Sequence, residues 1–139
     1  MRALVVLLAG VAFLSACSSI HTQRDPKVDL GHYREFFVEH RLSDDRRIDE
    51  AIVDELKALG RNASAGPMTM MPQSADAIVT YQDEWAWDFK SYLIQLNIQI
   101  RDSRRERIVA TGNYQQPSMF TKKPPQVIHA ILAPLLKPR

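Results

Sequence analysis

Asp83, Glu84 and Asp88 flank Trp85 and Trp87 in the stretch "DEWAWDF". Carboxylates beside stacking rings are the equipment of sugar binding and of glycosidases. The two tryptophans fall on odd positions together with Val79 and Tyr81, however. That is the spacing of the buried face of a strand, so packing in the core or at its rim is the reading the pattern favours. Met68, Met70 and Met71 in "MTMMP" offer thioethers, soft ligands suited to Cu(I). Methionine is also a pliable gap-filler, and three of them make an unspecific metal signal. Arg104 and Arg105, with Arg101 and Arg107, surround one turn and could meet phosphates or an acidic partner. The plainer reading is a solvated hairpin tip. The acids between 44 and 55 alternate with Arg46, Arg47 and Lys57, as on a solvated helix face. His21, His32, His40 and His129 show no metal-ligand spacing, and the chain lacks H-E-x-x-H, G-x-S-x-G and a glycine-rich phosphate loop. The expectation is therefore no catalytic residue, no resident metal or cofactor, and a protein that is not an enzyme.

One thiol remains, Cys17. Met1 and Arg2 begin the chain with positive charge, and Ala3 to Leu14 is an apolar run of 12 residues. A spanning helix needs roughly 20, so the run reads as a secretory signal. Its end, Leu14-Ser15-Ala16-Cys17, resembles the bacterial lipobox. That resemblance implies a thiol that takes a diacylglycerol before cleavage, and a mature chain that starts at Cys17. The lipidated chain then has no thiol left for a disulfide, and several acyl chains make a stable anchor. Ser18 follows the cysteine where Asp is absent, which resembles the outer-membrane pattern of Gram-negative lipoproteins. The expected location is the cell envelope, lipid-anchored at the outer membrane and facing the periplasm.

These positions need a scaffold. The chain has 139 residues, of which 45% are hydrophobic and 24% charged, and its mean hydropathy is -0.24. That suits one globular domain after a leader. The net charge of +2 falls to about +1 without Arg2, which leaves no electrostatic case for nucleic acid. The expected organisation is a signal peptide at 1–16, a lipidated cysteine and flexible tether at 17–26, and a single domain at 27–139. "HYREFFVEH" reads as a strand. "SDDRRIDEAIVDELKALG" reads as a helix, with Ile48, Ile52, Leu56 and Leu59 on one face and Gly60 as its left-handed stop. Residues 61–74 read as a loop. "ADAIVTYQDEWAWDF", "SYLIQLNIQI" and "RIVATGNY" alternate as half-buried antiparallel strands. Pro124 or Pro125 opens a last helix with Val127, Ile128, Ile131, Leu132 and Leu135 on its stripe. The order strand-helix-strand-strand-strand-helix predicts an α+β, two-layer fold: a four-stranded sheet with two helices on one face.

The same strings resemble a known family, the bacterial lipoproteins catalogued as domain of unknown function 4136. Tyr33 and Phe36 match its first strand, and "IDEAIVDELKALG" its helix. Ala75, Asp76, Val79 and Tyr81 match its Ala-Asp and V-x-Y strand, and "VIHAILAPLL" its last helix. The resemblance covers about residues 27 to 137. It implies fold and location and brings no established activity.

The functional expectation is a non-catalytic envelope interaction or scaffolding module, fixed to a membrane through Cys17, with an envelope protein as partner. Its candidate partner or ligand surface comprises Trp85, Trp87, Phe89, Arg104 and Arg105. The alternative is a carrier of a small apolar or lipidic ligand, in which Trp85, Trp87 and Phe89 line a pocket between helices and sheet. An envelope hydrolase using Asp83, Glu84 or Asp88 ranks last.

Overall fold

Ile48, Ile52, Val53 and Leu56 recur at helical spacing, and all four are buried. They form the inner face of helix α1 (Ile48–Ala58). The structure, a computed structural model, describes residues 18–116 and 122–138. The expected leader and Cys17 lie outside them. Asp44 serves the start of α1 from outside its first turn: its carboxylate accepts the amides of Arg46 at 2.9 Å and Asp49 at 3.2 Å. Gly60 ends the helix at φ 82°, as a left-handed stop requires.

The sheet has six strands in the order β1-β6-β5-β4-β2-β3. They are β1 (Ser19–Arg24), β2 (Glu35–Glu39), β3 (Asn62–Gly66), β4 (Ala77–Asp88), β5 (Lys90–Asp102) and β6 (Ile108–Gln115). The α+β class and the expected order of the four central strands hold, but two strands were not expected. The stretch read as a tether is, from Ser19 to Arg24, an edge strand antiparallel to β6. Part of the stretch read as a loop, Asn62 to Gly66, is the opposite edge, parallel to β2. Both are polar or small because an edge strand is wet on one side and along its margin. Helix α1 thus carries the chain from β2 outward to β3, and β4 returns parallel to β2 on its inner side. The meander β4-β5-β6 is antiparallel as the alternation predicts.

Helix α2 (Pro124–Leu136) opens at two prolines. Both helices pack on one face of the sheet and against each other. Val79, Leu96, Ile98, Ile100, Ala110 and Tyr114 meet Ile52, Leu56, Ile128, Ile131 and Leu132 in a single core. Gly112 lets α2 lie close: a Cβ there would stand 2.2 Å from Ile131 Cγ2. Arg24 donates to the carbonyl of Lys137 at 2.8 Å and Arg61 to that of Leu136 at 3.2 Å, so two cations satisfy the carboxyl end of α2. The helix-free face carries Thr80, Gln82, Gln95, Asn97, Gln99, Thr111 and Asn113 and is polar there as expected, but at its β2 side Phe37 and Ile78 also lie on it and are buried.

Candidate functional site

The aromatic stripe follows a bulge. β4 and β5 pair in simple register from Ala77 to Glu84, where Glu84 faces Gln95; the register then shifts, and Trp85 faces Leu93. The shift puts Leu93 in the core and leaves Ile94 half-exposed, against the strict alternation expected for β5. Trp85 stays with the core. Its indole Nε1 donates to Asp83 Oδ2 at 2.6 Å, and the Arg46 guanidinium stacks 4.5 Å over its ring. Trp87 and Phe89, further along the hairpin, are exposed. Phe89 is the turn of the hairpin and takes φ 60°. That left-handed conformation costs a residue other than Gly, Asn or Asp about 1–2 kcal/mol.

A polar network fixes the base of this hairpin. Arg41 donates to Asp83 Oδ1 at 2.8 Å and lies over the Tyr81 ring. The Tyr81 hydroxyl donates to Asp44 Oδ2 at 2.7 Å. His40 Nδ1 lies 2.8 Å from Asp49 Oδ2. Burial alone would raise the Asp44 carboxyl, but hydrogen bonds from Tyr81 and from the amides of Asp49, Arg46 and Ile48 outweigh it and hold it below the usual carboxylate range. Burial, and then the bond to Asp44, push the Tyr81 hydroxyl up. Each charge in this network has a partner that orients a loop, and the arrangement leaves Asp83 committed to Arg41 and Trp85. Glu84 points to the opposite face of the sheet, and Asp88 lies at the tip opposite Lys90. The three acids named for hydrolysis do not share a cleft.

Arg104 and Arg105 are not beside the aromatics. They sit on the β5–β6 turn, at the other end of the sheet, where Asp102 Oδ1 accepts both their amides. Tyr33 donates to Asp102 Oδ2 at 2.5 Å. Its hydroxyl is pushed up to about 12 by burial and by that bond. The expected five-residue surface is therefore two surfaces. Sequence spacing could not show this, because the separation is set by the length of β5.

The cavities are small and open. One of about 320 Å³ lies between Tyr33 and Arg105. A second of about 330 Å³, on the helix-free face, is lined by Arg41, Thr80, Gln82, Asn97, Gln99 and Asn113. A third of about 310 Å³ lies along β1 and β6. Trp85, Trp87 and Phe89 line none of these three. Met68 and Met70 are exposed in a turn after β3. Among the described residues no group of three or more His, Cys, Asp or Glu could hold a metal, and no helix is long and apolar enough to cross a membrane.

The architecture, one six-stranded mixed sheet under two helices, defines a class shared with solved bacterial proteins. PelC from Paraburkholderia phytofirmans, a dodecamer, superposes with a TM-score of 0.63 at 12% identity, over 88% of this chain and 100% of that one. A domain-of-unknown-function 4136 family protein from Bacteroides thetaiotaomicron gives 0.55 at 11% identity, over 86% and 97%. A PDZ domain protein from Parabacteroides distasonis gives 0.53 at 13%, over 86% of this chain and 35% of that one. At such identities the likeness shows the fold, and the fold is the one the family resemblance implied. No protein-family model matches the sequence, and no curated protein matches it significantly.

Proposed function

We propose that the protein is a bacterial envelope lipoprotein, held by lipid on Cys17 at the outer membrane and facing the periplasm, that works as a non-catalytic interaction or scaffolding module. The leader and the lipobox Leu14-Ser15-Ala16-Cys17 support the anchor. The observation that carries the interaction reading is the β3 edge. β3 is the last strand of the sheet, and its residues Asn62, Ala63, Ser64, Ala65 and Gly66 are small and uncharged. Edges that must stay unpaired are usually blunted by lysine, inward charge or bulges. A strand of a partner can add to such an edge through main-chain hydrogen bonds. A second copy of this chain is the first partner to test, since the PelC of similar fold is a dodecamer.

A photo-crosslinking residue in place of Ser64, in the lipidated protein in native envelopes, tests this. The expected result is one discrete protein adduct, whose mass identifies a second copy or another envelope protein. Adducts formed from the helix-free face but never from β3 would replace the edge reading with a face-binding one.

A further inference from the structure

Ser19 lies opposite Gln115, Gln115 opposite Gln95, and Gln95 opposite Glu84. These residues mark one level across the sheet. Beyond it β4 runs on to Asp88, and Phe89 makes the turn. At about 3.4 Å per residue the tip stands roughly 14–17 Å past that level. The chain enters β1 at the same level and the same end of the sheet. Only Ser18 separates β1 from Cys17, and two residues reach at most about 7 Å. The hairpin tip therefore extends about 7–10 Å further than the backbone of Cys17 can.

We propose that the β4–β5 tip is a membrane-contact element, with Trp87 and Phe89 in the interface of the bilayer that holds the lipid on Cys17. The inference rests on the lipoprotein reading above and adds the ligand, a phospholipid surface. Four observations converge on it. The overshoot matches the 5–10 Å to which amphipathic elements sink at the boundary of headgroups and acyl chains. Trp87 is 75% exposed and Phe89 93%, and tryptophan is a side chain enriched at that boundary. Among the described residues the ribbon beyond the bulge has no third strand: β2 pairs with β4 only at Phe36–Val38, and past the Gln95–Gln115 pair only the Gln116 amide reaches β5, at the Ile94 carbonyl. A two-stranded ribbon is marginal in water without a surface to lie on. Finally, a phenylalanine holds a left-handed turn position that glycine or asparagine would fill with less strain, which points to contact made by the ring rather than to turn chemistry. Lys90 stands beside Asp88 at the tip, so the contact is apolar and does not need anionic lipid.

The test uses the lipidated full-length product, reconstituted in phosphatidylcholine vesicles with and without brominated acyl chains. Flotation with the vesicles reports the lipid anchor. Quenching of the tryptophan emission that disappears in Trp87→Phe reports the tip. The expected result is flotation together with loss of most Trp87 emission, greatest with bromines placed shallow in the chains. Flotation with unquenched Trp87 overturns the tip assignment and leaves the lipoprotein reading standing. Failure to float removes the anchor, and with it the reading on which the inference rests. A photo-crosslinker in place of Phe89 gives a second readout in native envelopes. Adducts with phospholipid support the inference, whereas adducts only with a second copy or another protein overturn it.

Discussion

The Tyr81–Asp44 pair shows how single residues hold the hairpin base. Tyr81 is a buried core residue of β4 whose hydroxyl reaches the loop before α1. Tyr81→Phe keeps the ring and removes one donor to a charged acceptor. The expected loss is about 1.5 kcal/mol, the low end for such bonds, because the amides of Arg46 and Asp49 still reach the carboxylate. The sign with pH follows from the depressed carboxyl. The unfolded chain takes up this proton near pH 3.9, before the folded one does. The stabilisation is present above that pH and is lost as pH falls through the lower folded value. On the alkaline side the raised Tyr81 hydroxyl acts in reverse: its contribution is full below about pH 10 and falls as pH rises. Urea midpoints of wild type and Tyr81→Phe should differ at pH 7 and draw together as pH falls below about 3.9. A constant difference would mean that the bond does not discriminate between the charged and neutral carboxyl.

At the scale of elements, β6 and α2 meet at a point with no slack. In Gly112→Ala the new methyl would meet Ile131 Cγ2 at 2.2 Å, and the β-branched side chain of a helix has little freedom to move aside. Overpacking of this kind costs about 1–3 kcal/mol. Ile131→Leu, which lacks the β-methyl, should recover part of that loss in the double variant, as read from urea midpoints. Independent, additive losses would show that the two do not collide. Gly112 was legible in sequence only as a strand residue; that it admits a helix is a fact of tertiary packing. The contrast runs through the fold. α1 was legible because Ile48, Ile52 and Leu56 repeat at its period, and β5 because Leu96, Ile98 and Ile100 alternate. β1 and β3 were not, since "SIHTQR" has one apolar residue, Ile20, that packs on the core, and "NASAG" has only small ones. Edge strands derive their order from a neighbour's hydrogen bonds, which no local periodicity records. The bulge at Glu84/Trp85 was equally invisible, and it decides that Leu93 rather than Ile94 is buried.

For the molecule as a whole, the strand status of Ser19–Arg24 changes what an anchor at Cys17 would do. A flexible tether of ten residues would let the domain tumble; a single intervening Ser18 fixes which end approaches the membrane. With that anchor the end with the β4–β5 tip would face it, and the turn bearing Arg104 and Arg105 would point away. Orientation of this kind acts as a high effective concentration of the tip at the bilayer, and it falls as linker length grows. Inserting ten Gly/Ser residues between Ser18 and Ser19 adds a coil of about 17 Å root-mean-square span. It leaves the lipobox and β1 intact, so flotation should be unchanged. Quenching of Trp87 by brominated lipid should fall, because the tip must then find the surface by its own affinity. Unchanged quenching would show that Trp87 and Phe89 hold the bilayer without help from the short connection, and the orienting role of β1 would be lost.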